Sequence, residues 1–222
     1  AQSSMRESML QRRLLSEENP FHPERPPTLD DIHILPANLS RLVIDPYREE
    51  CRMQTAIGAV IKLEIPFLVG GFDHAPEQIK NGLGQALATN GCAYLGERPL
   101  HPGLPWIQLL APDSDPRDDA SGIVGNPEQI RGRRAEGQLL GIRVQADNVA
   151  SAVSAALEEK CDFLLLDATS GISNPWAELG SPSDLRVLRD AINLLRQAKK
   201  EEEIDVIYFG GIRSGTDAAK AI

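Results

Sequence analysis

The sequence predicts an α/β fold in which parallel strands alternate with helices and curl into a (β/α)8, or TIM, barrel. Short continuous apolar runs, such as residues 65–69 and 163–166, recur along the chain and are typical of strands buried on both faces of a parallel sheet. Stretches with apolar residues three and four positions apart separate these runs and predict covering helices. Glycines and polar residues follow directly after the strands, at the edge where barrels carry their sites.

The first half of the predicted barrel contains three strands and one helix. Residues 65–69 are the first strand, and a helix follows over residues 76–89, where apolar residues recur at a spacing of four. Residues 92–95 and 106–110 are the next two strands. Residues 111–128 are rich in Pro, Gly, Ser and Asp, and therefore predict a long acidic loop.

The second half repeats the alternation of strands and helices. The predicted elements are a strand at Leu139–Val144, a helix at 148–159, a strand at 163–166, a helix at 183–199, a strand at 204–209 and a helix from Thr216. Ser183 is expected to cap the second of these helices, whose inward face is expected to carry Leu185, Leu188, Ile192 and Leu195. This gives six strands, whereas a closed barrel needs eight. We therefore expect a barrel that is incomplete or that lacks its last strand in this chain.

Composition and charge set the domain organisation and the class of partner. Residues 1–58 predict a lead-in of helical and extended pieces, and residues 59–222 the barrel domain. The net charge of −9 disfavours a nucleic-acid partner. No apolar run approaches the roughly 20 residues that span a bilayer, so we expect no membrane partner and a cytoplasmic protein. The three cysteines and four histidines are scattered, which predicts no metal site and no disulfide framework.

The sharpest motif is the loop Gly210-Gly211-Ile212-Arg213-Ser214-Gly215, between a buried strand and a helix. Two glycines let the backbone turn and approach a ligand closely, and bare amides at the start of a helix favour an anion. Arg213 can add a charge-assisted contact and Ser214 a hydroxyl donor. The motif predicts a phosphate-binding loop. The alternative is a glycine turn needed only to pack the strand against the helix.

At this loop, GGIRSGTDAAKAI resembles the phosphate loop of FMN-dependent (β/α)8 oxidoreductases. Four further segments, LPANLSRLVIDPYRE, IPFLVGGFD, GCAYLGE and PWAELG, are similar to the synthase-domain branch of glutamate synthase within that group. The likeness covers roughly residues 30–222. It implies an FMN cofactor across the carboxyl ends of the strands and a small amino or oxo acid as substrate. The partners we consider besides the substrate are a second copy of the chain and an electron donor.

The resemblance also implies roles for individual residues. Arg143 stands where the family has a lysine beside the flavin ring, at which a cation stabilises the reduced flavin, and Glu97 matches the glutamate of a Gly-Glu pair. These two are the candidate catalytic residues. The candidate cofactor-binding residues are Gly70, Gly71 and Gln108 for the ring, Asp167 for the pocket wall, and Gly210, Gly211, Arg213, Ser214 and Gly215 for the phosphate.

The residues themselves leave alternatives open. Arg143 can simply pair with Asp147 or Asp167. Gln108 faces inward or outward according to the parity of its strand. Asp167 can form an Asx cap in a turn that ends its strand. Glu97, in a loop, can be solvated.

Two other functions stay open as well. The iron–sulfur cysteines of glutamate synthases have no counterpart here, and the loop 167–175 lacks the family's His-Asp-Gly-Gly run. These departures favour a non-catalytic barrel relative that serves as a binding or assembly subunit. A weaker alternative is a barrel isomerase or synthase that holds a phosphorylated substrate in the same loop.

Overall fold

The structure is a computed structural model that describes residues 26–34, 52–133, 136–169, 171–172, 183–212 and 214–222. Nine strands lie within these ranges. In chain order they are β1 (Thr55–Ile57), β2 (Ile61–Leu63), β3 (Leu68–Gly70), β4 (Ala93–Gly96), β5 (Trp106–Leu109), β6 (Gly122–Gly125), β7 (Leu139–Val144), β8 (Phe163–Asp167) and β9 (Asp205–Phe209).

Seven of these strands, β3 to β9, form one parallel sheet whose spatial order follows the order of the chain. The sheet is curled into a half-barrel, so the predicted α/β, TIM-like architecture is confirmed at that level. In keeping with the expectation of an incomplete barrel, the strands do not form a closed eight-stranded barrel in the described residues. There, β3 and β9 each pair with one neighbour and not with each other, which leaves the sheet open between them.

Helices lie in four of the six crossovers between the parallel strands, and a fifth helix follows β9. They are α1 (Glu77–Thr89), α2 (Pro127–Ile130), α3 (Val149–Glu158), α4 (Arg186–Ala198) and α5 (Gly215–Ala221), and a short 3-10 helix covers Leu29–Asp31. In the part of the chain that the structure describes, no helix combines the length and the apolar character needed to cross a bilayer.

The two faces of the sheet are covered by different elements, because side chains alternate along each strand. In β8, Leu164 and Leu166 point to the convex face, where they pack with α3 and α4. Phe163 and Leu165 point to the opposite, concave face. Burial on both sides explains why these strands read as continuous apolar runs.

The concave face is filled at one end by the antiparallel hairpin of β1 and β2. Ile57, Ile61 and Leu63 from this hairpin are buried against the concave side chains. The backbone amide of Gly58, in the turn, donates to a carboxylate oxygen of Asp205 at 2.6 Å. Because Asp205 is the first residue of β9, the hairpin closes the amino end of the sheet and leaves the carboxyl end for a site.

The segment predicted as a long loop, residues 111–128, contains the strand β6 and the start of α2. This strand has only two apolar side chains, flanked by Gly122 and Gly125, and it follows a polar, proline-containing stretch. The glycines are needed for packing. A Cβ on Gly122 would lie 3.0 Å from the Cβ of Leu139, and one on Gly125 would lie 3.0 Å from the side chain of Gln129. A strand built on glycine has no apolar periodicity to reveal it.

The helix α4 also differs from its prediction. It begins at Arg186, and Asp184, not Ser183, accepts the hydrogen bond from its first backbone amide, at 2.9 Å. Its fully buried side chains are Val187, Ala191 and Leu195, whereas Leu188 and Ile192 are half-buried. The helix lies beside the open edge of the sheet, so one apolar stripe faces the core and a second one lines the gap.

Candidate functional site

Arg143 and Asp167 form an ion pair on the concave face, near the carboxyl ends of β7 and β8. Arg143 is in register with Leu165, so Asp167 lies two residues further along the neighbouring strand. The Arg143 Nε donates to Asp167 Oδ2 at 3.0 Å, and its Nη2 donates to the same oxygen. Asp167 is fully buried and the Arg143 side chain is 17% exposed. Of the two partners considered for Arg143, the structure has Asp167.

The carboxylate of Asp167 also fixes the loop that follows β8. Its Oδ1 accepts from the Thr169 amide at 3.1 Å and from the Thr169 hydroxyl at 2.8 Å. Its Oδ2 accepts from the Ile172 amide at 3.3 Å. These bonds are those of the Asx-type cap that was the alternative considered for Asp167. One buried carboxylate holds both the arginine and the loop.

The glycine turn after β9 is packed tightly on one side. Gly210 and Gly211 have φ values of +128° and +71°, which side chains rarely adopt. A Cβ on Gly211 would lie 2.4 Å from the Ser183 hydroxyl, and one on Gly210 would lie 2.9 Å from the Thr169 methyl group. The turn therefore needs glycine for its own conformation and packing, whatever it binds.

The far end of the same loop is open. A Cβ on Gly215 would meet no atom within 4 Å. Ser214 is the N-cap of α5: its hydroxyl oxygen accepts from the Asp217 amide at 3.3 Å and its hydroxyl donates to an Asp217 carboxylate oxygen at 3.0 Å. Room for an anion therefore exists beside Gly215, while the Ser214 proton is engaged in the cap. Arg213 lies outside the described residues.

Residues 26–34 lie across the elements that carry this loop. The Lys220 ammonium group in α5 donates to the Leu29 carbonyl at 2.9 Å, and the Leu185 amide donates to the Pro27 carbonyl at 2.8 Å. The buried Leu29 side chain lies 3.8 Å from the position that a Cβ on Gly211 would take. This short segment therefore ties the start of α4 to the end of α5, behind the glycine turn.

A large cavity of about 1490 Å³ lies in the gap between β3 and β9. It is bounded on one side by Gly70 and Gly71, and on the other by Phe209, Gly210 and Ile212. Ligand pockets commonly have volumes of roughly 300–1,000 Å³. This one is larger because it runs along the whole open edge of the half-barrel, down to the hairpin.

Glu97 lies in the loop after β4, where a neighbouring network fixes its backbone. The backbone amides of Glu97 and Arg98 donate to Asp73 Oδ1, at 2.8 Å and 3.3 Å. The Phe72 amide donates to the Tyr94 hydroxyl oxygen at 3.2 Å. Burial raises the pKa of the Tyr94 hydroxyl, and the carboxylate of Asp73 raises it further.

Gln108 lies on the convex side of the sheet, away from the concave-face pair. In β5 its neighbours Ile107 and Leu109 join the concave cluster, so strand parity directs Gln108 to the other face. Its amide nitrogen donates to the Asp115 carbonyl at 3.0 Å, and its amide oxygen accepts from the Arg117 backbone at 2.7 Å. The side chain braces the acidic loop, and this is the outward alternative of the prediction.

The predicted residues thus fall into separate groups. Gly70, Gly71 and Gly210 line one cavity, Arg143 pairs with Asp167, and Gln108 is apart from both. The sequence did not indicate the packing of Ser183 against Gly211 or the placement of Tyr94 beside Asp73. Neither has a local motif, because each brings together residues that are far apart in the sequence. The similar segments LPANLSRLVIDPYRE and PWAELG lie outside the described residues.

Comparisons with known proteins give no family for this chain. No family model matches it. No curated protein matches it either. Across the described ranges, no group of three or more His, Cys, Asp or Glu side chains is arranged to hold a metal ion.

Proposed function

We propose that this chain is an FMN-binding oxidoreductase, similar to glutamate synthase, that acts by flavin hydride transfer on a small amino or oxo acid. The observation that carries the proposal is the cavity between β3 and β9, whose lining includes Gly70, Gly71 and Gly210. These glycines are the ones that the resemblance assigns to the ring and to the phosphate. Their position at the carboxyl ends of two strands is where parallel α/β folds bind ligands.

The loop after β9 fits a phosphate group on its open side. Apart from its chain neighbours and the backbone of its own helix, no protein atom lies within 4 Å of a Cβ placed on Gly215, and Ser214, Gly215 and Thr216 are exposed. Amides at the start of α5 would donate to the phosphate oxygens, with the helix dipole adding to the attraction. The packed side of the turn holds the loop in place, so a phosphate would not have to order it.

Arg143 and Asp167 are proposed to set the charge beside the ring. FMN, when bound, supplies the hydride acceptor and donor of the reaction. The ion pair fixes the guanidinium of Arg143. Its Nε and Nη2 groups donate to Asp167, and its remaining N–H groups point elsewhere. The others are proposed to donate to the ligand at this edge. Glu97, half-buried in the loop after β4, is proposed to bind the ammonium group of an amino-acid substrate.

A charge placed at the open end of the loop tests the proposal. Gly215→Asp adds a carboxylate where space exists, and a negative charge at a helix start favours the helix, so the fold should persist. We expect the variant to bind FMN at least about tenfold more weakly, by repulsion of the phosphate. Gly215→Asn, of nearly equal size but uncharged, is the matched control. Fluorescence titration with FMN and with riboflavin measures the effect.

Riboflavin lacks the phosphate, so its affinity should be the same in the Asp and Asn variants. A wild-type chain that binds no FMN in this titration would overturn the proposal. If the Asp variant lost affinity for FMN and for riboflavin equally, the loop after β9 would not be the phosphate-binding part of the site. Stronger thermal protection by sugar phosphates than by FMN would favour the isomerase or synthase alternative.

One observation favours the non-catalytic alternative. The charge of Arg143 is balanced by a fully buried carboxylate, so the pair carries little net charge toward a ligand. A binding subunit would keep such a pair for structure alone. Bound flavin that neither amino-acid nor pyridine-nucleotide donors reduce would support this alternative over the oxidoreductase.

A further inference from the structure

Tyr94 crosses from the helix side of the sheet to its carboxyl edge. Its ring is fully buried among Leu87, Leu104 and Trp106, beneath α1. Its hydroxyl emerges at the loop after β3, where it accepts from the Phe72 amide at 3.2 Å. A buried hydroxyl costs stability unless it is hydrogen-bonded, and the bond from Phe72 provides a partner for the hydroxyl of Tyr94.

The hydroxyl of Tyr94 and the carboxylate of Asp73 form one unit beside Gly96, in which the carboxylate raises the pKa of the hydroxyl. Both groups lie over Gly96: a Cβ there would be 2.6 Å from the Tyr94 hydroxyl oxygen and 2.6 Å from Asp73 Oδ1. The bare glycine at the end of β4 therefore makes room for the pair.

The unit joins two loops at the proposed ligand edge. Through Phe72 and Asp73 it holds the loop after β3, which begins with Gly70 and Gly71. Through Asp73 it also holds the amides of Glu97 and Arg98, in the loop after β4. Three backbone amides on two neighbouring loops thus depend on one hydroxyl and one carboxylate.

We propose that Tyr94 and Asp73 are positioning residues, which hold the Gly70–Gly71 loop and the Glu97 loop in the arrangement that the flavin site needs. The inference rests on the proposed function, because that function places a flavin between those loops. Neither side chain is assigned to touch the substrate or the flavin. They act through the backbone of the loops.

Tyr94→Phe removes the hydroxyl and keeps the buried ring, so the core stays filled. We expect faster hydrogen exchange at the amides of Phe72, Glu97 and Arg98. We also expect FMN to bind about three- to tenfold more weakly, the usual consequence of losing one positioning hydrogen bond, with a shifted absorbance band. Asp73→Ala should do the same, and it serves as the second variant if Tyr94→Phe does not fold.

Gln138→Met is the matched control. It removes a side chain that ties a different loop, by bonds to the carbonyls of Arg117 and Ala120 at 2.9 Å each. This variant should leave the three amides and the FMN affinity unchanged. An equal effect of Gln138→Met would make the Tyr94 effect one of general stability and overturn the positioning role.

The two readouts separate this inference from the proposed function. No FMN binding by the wild-type chain overturns the proposed function and, with it, the flavin role of the pair. Flavin bound by the wild type and by both variants with the same affinity and spectrum overturns the inference alone. Unchanged exchange at the three amides shows that the pair does not hold the loops, and overturns it without reference to flavin.

Discussion

At the scale of single residues, Asp167 is the group on which most of the site depends. Five donors reach its carboxylate: two from Arg143, two from Thr169 and the amide of Ile172. A fully buried carboxylate is tolerated only with such compensation. Its position after an apolar strand was visible in the sequence, whereas the choice between Asp147 and Asp167 as partner of Arg143 was not. That choice depends on the register of β7 against β8.

Asp167→Asn should destabilise the protein strongly. The substitution leaves the largely buried Arg143 guanidinium without a counter-charge, and breaking a buried pair in this way commonly costs about 3 kcal/mol or more. Urea unfolding followed by circular dichroism measures the change. Asp119→Asn breaks the exposed pair with Arg117 and should have a much smaller effect. Similar losses in the two variants would contradict this account of Asp167.

Because of its buried Tyr94 hydroxyl, the folded protein should lose stability against unfolding in alkaline solution. Burial and the carboxylate of Asp73 raise its pKa in the folded protein, while the unfolded chain titrates near the ordinary value of about 10. Above that pH the unfolded state releases a proton that the folded state keeps. The free energy of unfolding therefore falls by up to about 1.4 kcal/mol per pH unit.

The comparison of wild type with Tyr94→Phe isolates this effect, because the other titrating groups are common to both. The difference in their free energies of unfolding should be constant from neutral pH to about pH 9 and should shrink above pH 10. Chemical unfolding at a series of pH values gives the two curves. Parallel curves up to pH 11 would show that the Tyr94 hydroxyl titrates at an ordinary pKa.

At the scale of elements, the sequence predicted most of the sheet and part of the site. Six strands and the helices α1, α3 and α4 follow from apolar runs and spacing, because burial on one or both faces leaves that signal in the chain. The strand β6 was missed because its two glycines leave no run of apolar residues in the sequence. The inward face of α4 was predicted only in part, since the helix has two apolar stripes: Leu195 is buried as predicted, whereas the buried Val187 and Ala191 were missed. The loop after β9 was recognisable, but its packing against Ser183 joins residues 28 positions apart and has no local signature.

Gly211→Ala should destabilise the loop after β9 for two separable reasons. A φ of +71° costs a residue with a Cβ about 1 to 2 kcal/mol, and the new methyl group would lie 2.4 Å from the Ser183 hydroxyl. Ser183→Ala in the same chain should remove the clash and leave the backbone cost. The double variant should therefore be more stable than the sum of the single changes predicts.

Thermal or urea unfolding of the four chains in this cycle gives the coupling between the two positions. Gly215→Ala, in the same loop but with open space around it, should change the stability little and is the control. Strictly additive effects of Gly211→Ala and Ser183→Ala would mean that the turn moves away from Ser183. In that case the packed side of the loop would not hold it in place.

At the scale of the whole molecule, the open edge of the sheet is the feature that the sequence could not settle. Counting apolar runs gave six strands, and the structure has seven in the sheet, but closure depends on strand tilt and stagger around the whole ring. Those quantities are not local. The gap leaves β9 half-exposed, and apolar side chains on both of its sides reach solvent, among them Phe67 and Ile212.

This chain should therefore associate with itself as its concentration rises. Exposed apolar patches beside unpaired strand edges are templates for association, since both the side chains and the backbone gain partners. Phe67→Lys, at a side chain that is 38% exposed and lines the gap, should weaken the association. Ile79→Lys, at a side chain that is 52% exposed on α1 and outside the lining of the cavity, should not. Sedimentation velocity over a wide range of protein concentration compares the three chains. A wild type that stays monomeric throughout, or an equal effect of the two lysines, would show that the gap is not an exposed edge in solution.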